Sequence, residues 1–268
     1  MKVALFPNFD REGTAELYSK ISDILTEQGI ECYAEKPYTN NEELYKNCDI
    51  IITIGGDGTL IKHAKIASKY GKPCLGVNTG NLGFLANVDK DTIELIGNLK
   101  RGNYSVESRM MLEVTAVKEG QTVYSGTALN DAVVSSVMVA RICDVKLGIA
   151  SDEITYRADG VIISTPTGST AYSMSAGGPI IDPAVRCLTV TPVCSHTLTA
   201  RPMILSEDSV ISLGIASNSR TTAILSVDGD NCIEVDLDTT VNLKKSMYDA
   251  RFINLTGSTI YKTISKKF

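Results

Sequence analysis

The 268-residue chain has no excess of basic charge: 26 Lys and Arg stand against 31 Asp and Glu, a formal net charge of −5. It therefore carries no overall electrostatic footprint for nucleic acid or an anionic membrane, and an anionic ligand must be met locally. Histidine is scarce. His63 and His196 are the two in the chain, and neither has the Cys/His spacing of a zinc site, so both are expected to be non-ligands. The seven cysteines (32, 48, 74, 143, 187, 194 and 232) are odd in number, scattered and free of any CxxC pair. That usage fits the reducing cytoplasm better than a disulfide framework. Long apolar runs are missing too. The opening run Lys2-Val3-Ala4-Leu5-Phe6 stops at Pro7-Asn8, far short of a signal segment or of the about 20 residues that span a bilayer. No targeting segment and no membrane partner are expected. Both GxGxxG and GxxxxGK[ST] are absent, which argues against an ordinary dehydrogenase and a P-loop kinase.

With 43% hydrophobic and 21% charged residues and a mean hydropathy of +0.04, the chain can bury a sizeable core. At roughly 150 residues per domain it makes one large domain or two smaller ones. In the first hundred residues short apolar runs at 3–6, 30–34, 49–54 and 73–77 read as strands. Between them, Leu17, Ile21, Ile24 and Leu25 recur at helical spacing before Gly29, and further helices are expected at 59–70 and 91–100. Alternation of this kind with wholly apolar strands implies a parallel sheet covered by helices. Beyond Arg101-Gly102 the pattern changes to β-branched runs with turn residues: 111–117, 122–128, 132–137, 188–191, 210–213, 222–227, 233–237 and 240–243. This half reads as an antiparallel sandwich or barrel interrupted by a helix near 170–176. Without a long linker, the two halves are expected to pack closely.

Four clusters carry chemistry. Gly55-Gly56-Asp57-Gly58-Thr59 follows an apolar strand and opens a helix. Its glycines let backbone N–H groups approach an anion, and the helix start adds a favourable dipole. Asp57 then stands at the ligand; in the bland reading it only caps the helix. Asn78-Thr79-Gly80-Asn81-Leu82-Gly83-Phe84-Leu85 also follows a strand and is expected to line the same crevice. Asn130-Asp131 precedes an apolar strand and reads equally well as a turn or a site. The fourth runs from Arg157-Ala158-Asp159-Gly160 through Ser164-Thr165-Pro166-Thr167-Gly168-Ser169-Thr170-Ala171-Tyr172-Ser173-Met174-Ser175-Ala176-Gly177-Gly178-Pro179. So many small donors around one aromatic suit a wall for a sugar and base more than a structural turn.

Together these motifs resemble the bacterial NAD kinase family in order and spacing. The resemblance continues through Thr191-Pro192-Val193-Cys194-Ser195-His196, Arg201-Pro202 and Val227-Asp228-Gly229. It implies an α/β domain over 1–104, a β-sandwich dinucleotide-binding domain over 105–249, and a terminal segment, 250–268, that returns to the first domain. It implies transfer of the terminal phosphoryl of ATP, or of polyphosphate, to the adenosine ribose 2′-hydroxyl of NAD, with Mg2+ or another divalent cation. Carried over by residue, Asp57 becomes the general base, and Gly56, Gly58 and Thr59 face the donor phosphates. Asn130, Thr167 and Thr170 surround the adenine, Asp131 holds ribose hydroxyls, and Asp159, Ala171, Tyr172 and Ser175 line the rest of the dinucleotide site. The resemblance also implies a homodimer or homotetramer, with part of that site supplied by a neighbouring subunit. One departure stands out: the residue after Asn130 is more often Glu in the family, and Asp131 is a methylene shorter. Two other readings are a lipid kinase with the same glycine turn, disfavoured by the missing basic patch or amphipathic membrane helix, and a catalytically silent dinucleotide sensor.

Overall fold

The computed structural model describes residues 1–34, 42–80, 83–86, 88–138, 142–197, 199–217, 219 and 222–267. They form two compact units, one of Met1–Arg109 with Tyr248–Phe268, the other of Met110–Met247.

The first unit begins with strand β1 (Lys2–Pro7), helix α1 (Thr14–Glu27), strand β2 (Glu31–Ala34) and helix α2 (Glu42–Asn47). It continues with β3 (Ile50–Gly55), α3 (Asp57–Ser68), β4 (Pro73–Asn78), a 3-10 helix over Ile93–Arg101 and β5 (Ser105–Arg109). Leu17, Ile21 and Leu25 form the buried stripe of α1 and pack against Ile93, Ile96 and Leu99 of the 3-10 helix. Each such side chain contributes about 1.5–3 kcal/mol by leaving water. Every residue of β3 is buried, as a parallel strand covered on both faces requires.

The second unit holds β6 (Leu112–Lys118), β7 (Gln121–Ala128), β8 (Asp131–Ser136), β9 (Cys143–Ile149), β10 (Asp152–Ala158) and β11 (Gly160–Ser164). A 3-10 turn at Thr167–Thr170 and helix α4 (Tyr172–Ser175) follow, then β12 (Cys187–Val193), β13 (Met203–Ser206), β14 (Ile211–Ile215), β15 (Ala223–Val227), β16 (Asp230–Val235) and β17 (Thr239–Lys245). These make two antiparallel sheets, β10-β9-β14-β17-β6-β7 and β13-β12-β11-β8-β15-β16. Alternate residues of both, such as Val114, Leu147 and Leu213 from one and Val134, Ile163 and Leu225 from the other, share one core. That is a β-sandwich.

The chain then re-enters the first unit as β18 (Ala250–Asn254) and α5 (Ile260–Lys267). There β18 completes the sheet order β2-β1-β3-β4-β18-β5, parallel to β4 and antiparallel to β5. This pairing moves the boundary expected at 104 to Arg109: the ladder to β18, with the Asn254 Nδ2 to Glu107 Oε1 bond of 2.9 Å, holds β5 on the first sheet. The boundary expected at 249 correspondingly falls after Met247. Strands β9, β10 and β11 lay outside the expected set, because the Ala150-Ser151 turn between β9 and β10 lacks the Gly or Asn that marks a hairpin, although Ala150 is left-handed at φ 54. Helix α2 was likewise not foreseen. Among the described residues no helix is long and apolar enough to cross a membrane.

Candidate functional site

Strand β3 ends at Gly55 and α3 starts at Asp57, with Gly56 in extended conformation as its N-cap. The Asp57 side chain does not cap α3. Its Oδ2 accepts the N–H of Phe84 at 3.0 Å and its Oδ1 that of Ala86 at 3.3 Å, so the bland capping reading is set aside. The carboxylate instead fixes the loop after β4, so closely that a Cβ on Gly83 would fall 2.2 Å from both oxygens. In the same loop Asn78 is buried and its Oδ1 accepts the Gly80 N–H at 3.1 Å. Asn81 and Leu82 lie outside the described residues.

The loop after β1 flanks the other side of the glycine turn. Asn8 Nδ2 reaches Thr59 Oγ1 at 3.3 Å, and the exposed Arg11 guanidinium lies over Gly56, with Nη1 2.7 Å from where a Cβ would be. A cation, open backbone amides and a helix N-terminus converge at the carboxyl ends of β1 and β3, where ligands gather in parallel sheets. Arg11 was missed in the sequence; its place just beyond an apolar strand was the available signal.

The second unit carries the other candidate residues. Asn130-Asp131 leads into β8, and the hydroxyl-rich segment clasps it: Thr165 N–H donates to the Asn130 carbonyl at 2.8 Å, and Thr165 Oγ1 to the Leu129 carbonyl at 2.5 Å. Several hydroxyls of that segment are buried fasteners. Ser169 bonds the Pro166 and Ile181 backbones, and Ser173 Oγ lies 2.9 Å from Thr191 Oγ1 on β12. Asn130, Asp131, Ala171 and Tyr172 line one cavity of about 380 Å3, together with Asp228 and Gly229. Tyr172 is exposed at 45%. Thr167 is buried, Thr170 half-buried with Oγ1 3.3 Å from the Thr167 carbonyl, and Ser175 exposed. Asp159 is half-buried where β10 meets β11, its N–H on the Val193 carbonyl. These four do not line the cavity.

Asp131 is 5% exposed, and its carboxyl is pushed up to about 7, by burial first and then by the negative charge of Asp228. Asp228 belongs to the Val227-Asp228-Gly229 motif, where its position along the chain assigns it no role. Its Asp-Gly pair signals a hairpin turn, but nothing local announces which backbone its side chain meets. His63 is buried beside Phe6, its Nδ1 2.6 Å from the Tyr45 hydroxyl, and burial lowers it to about 4. Among the described residues no group of three or more His, Cys, Asp or Glu could enclose a metal ion.

Residues 3–101 match the family model of the ATP-NAD kinase N-terminal domain, and residues 129–255 that of the ATP-NAD kinase C-terminal domain. The chain is 35% identical over 278 residues to an NAD kinase of Caldanaerobacter subterraneus subsp. tengcongensis, covering 99% of this chain and 98% of that one. It is 40% identical over 221 residues to an NAD kinase of Symbiobacterium thermophilum, covering 82% and 78%. Among solved structures, an NAD kinase from Archaeoglobus fulgidus in complex with ATP superposes with a TM-score of 0.78 at 26% identity, over 100% of this chain and 98% of that one. Yeast NADH kinase complexed with NADH shares the fold, with a TM-score of 0.89 at 22% identity over 100% and 87%. An α/β unit opened by a glycine turn around Asp57, a β-sandwich presenting Asn130-Asp131, and matches to both domain models in that order make this chain a member of the NAD kinase family.

Proposed function

We propose that this chain transfers the terminal phosphoryl of ATP to the adenosine ribose 2′-hydroxyl of NAD, forming NADP and ADP. The observation that supports it best is the match of both units, in order, to the two NAD kinase domain models. In the reaction the 2′-oxygen forms a bond to the γ-phosphorus, the bond to the ADP oxygen breaks, and the hydroxyl proton passes to Asp57. A carboxylate is a feeble base toward an alcohol, but a loose phosphoryl-transfer transition state needs the proton only late, so positioning does most of the work. Asp57 suits that task because two backbone N–H groups hold its carboxylate in place.

Donor phosphates meet Gly56, Gly58, Thr59 and the Arg11 guanidinium at the start of α3. A dedicated metal cage is not the expectation: Mg2+ commonly binds through one or two carboxylates and the substrate's own phosphates. The half-buried Asp57 fits that donor set, and the ion would spread the charge that develops on the transferring group. On the dinucleotide, Asn130, Thr167 and Thr170 take the adenine and Asp131 the ribose hydroxyls. Ala171 and Tyr172 line the cavity beside Asn130 and Asp131, and Asp159 and Ser175, outside that cavity, serve the part of the site completed by a neighbouring subunit of a homodimer or homotetramer. The setting is the cytoplasm. Incubation with NAD, Mg2+ and either ATP or polyphosphate, with NADP measured directly, tests the reading. Tight NAD binding without NADP from either donor refutes it and leaves a dinucleotide sensor.

A further inference from the structure

The shape of the Asn130-Asp131 turn is not set by its own side chains. Hairpin β15–β16 turns at Asp228-Gly229, with Val227 opposite Asp230 and both central residues left-handed, at φ 51 and 88. This is the conformation a two-residue hairpin prefers, and Asp-Gly suits it. The Asp228 N–H donates to the Asp131 carbonyl at 2.9 Å. Its carboxylate then accepts three consecutive backbone amides: Leu129 at 3.0 Å on Oδ2, Asn130 at 2.8 Å and Asp131 at 3.2 Å on Oδ1. A hairpin needs none of these three bonds. They also bring a second anion into the cavity that holds the buried Asp131, an arrangement unfavourable for folding alone.

We propose that Asp228 is a positioning residue for the dinucleotide, its carboxylate holding the Leu129–Asp131 backbone in the shape that presents Asn130 and Asp131 to the cavity. The proposal rests on the reading that NAD binds there. The charge of Asp228 has a second consequence. Across β8, Asp131 pairs with the uncharged Ser164 of β11, and among the described residues the titratable groups lining the cavity are Asp131, Asp228 and Tyr172. Asp228 is the charge that acts on the Asp131 carboxyl, which burial and that charge together raise to about 7. An ionised Asp131 accepts hydrogen bonds from ribose hydroxyls more strongly than the neutral acid, so NAD affinity rises as pH increases through about 7.

The test measures NAD affinity by calorimetry from acid to alkaline pH, and NADP formation, in wild type, Asp228→Asn and Asp131→Asn. Asp228→Asn is expected to raise the KM for NAD by about 10-fold to 100-fold, the cost of hydrogen bonds to a charged acceptor, with the KM for ATP unchanged. It is also expected to move the pH midpoint of NAD binding downward, while Asp131→Asn abolishes the midpoint. A lower melting temperature with KM and midpoint both unaltered would make Asp228 a hairpin residue only and overturn the proposal. Should the variant fail to fold, amide hydrogen exchange on wild type without ligand decides: strong protection of Leu129, Asn130 and Asp131 supports the hold, and rapid exchange overturns it. A wild type that neither binds NAD nor makes NADP refutes the functional reading instead, and the exchange measurement still reports on Asp228.

Discussion

Asp57→Asn separates the proposed proton acceptor from a strut, because the carboxylate proposed as the base also holds a loop. Its two oxygens each accept one backbone N–H, from Phe84 and Ala86. An asparagine offers one acceptor and one amide donor, so whichever way it turns, one of those N–H groups faces another donor. An unsatisfied buried donor costs about 1–3 kcal/mol; with Asp57 half-buried, water relieves part of it and the low end applies. The melting temperature of the variant should drop by a few degrees. Loss of the base should lower kcat far more, by about 10²-fold to 10⁴-fold. The control is Gly83→Ala, which pushes a methyl to within 2.2 Å of both carboxylate oxygens and displaces the loop while keeping the charge. NADP formation, followed with an NADP-specific dehydrogenase under saturating NAD and ATP, should fall much further in Asp57→Asn than in Gly83→Ala. Unchanged kcat in Asp57→Asn refutes the base, and equal losses in the two variants reduce Asp57 to holding the loop.

Tyr172→Ala should weaken NAD binding by about 1–3 kcal/mol, the range for a base stacked on an aromatic ring. It should barely move the stability of the empty protein, since the side chain is 45% exposed; a large unfolding penalty with intact affinity would show a packing role. Arg11→Ala should raise the KM for ATP roughly tenfold or more through a lost charged hydrogen bond and leave that for NAD unchanged, whereas an unaltered ATP KM would make Arg11 a surface cation. The two units should respond oppositely to acid. His63, lowered to about 4, contributes stability to the first unit that is present above about pH 6.5 and lost as pH falls toward 4. Asp131, raised to about 7, favours the protonated native state, so the second unit gains stability, up to about 4 kcal/mol, as pH falls from 7 toward 4. Hydrogen exchange read separately on β3 and β8 checks both signs, and parallel responses would refute them.

The periodic parts of the molecule were legible from residues alone. Leu17, Ile21 and Leu25 fall on one face of any helix, and the unbroken run Ile50-Ile51-Ile52 has no polar face to offer water, so α1 and β3 were expected where they stand. The glycine turn was legible too, because three glycines around one acid are more than a capping turn requires. Strands β9 to β11 were missed although their pattern was present, with Cys143, Val145, Leu147 and Ile149 alternating in β9 and Ile154, Tyr156 and Ala158 in β10; what was absent was a Gly or Asn signature at the Ala150-Ser151 turn that joins them.

By itself the sequence determined the two kinds of architecture, the order of the motifs and the identity of the residues that could do chemistry, because each depends on neighbours a few positions apart. Partnership across the chain was decided by tertiary structure. The insertion of β18 between β4 and β5 joins residues far apart in the chain, 147 positions in the Asn254 bond to Glu107. Asp57 meets a loop 27 residues on, and Asp228 reaches back 97 to 99 residues to the Asn130-Asp131 turn. A carboxylate's role follows from which amides and charges surround it once water is excluded, and that environment exists only after the sheets have closed around it.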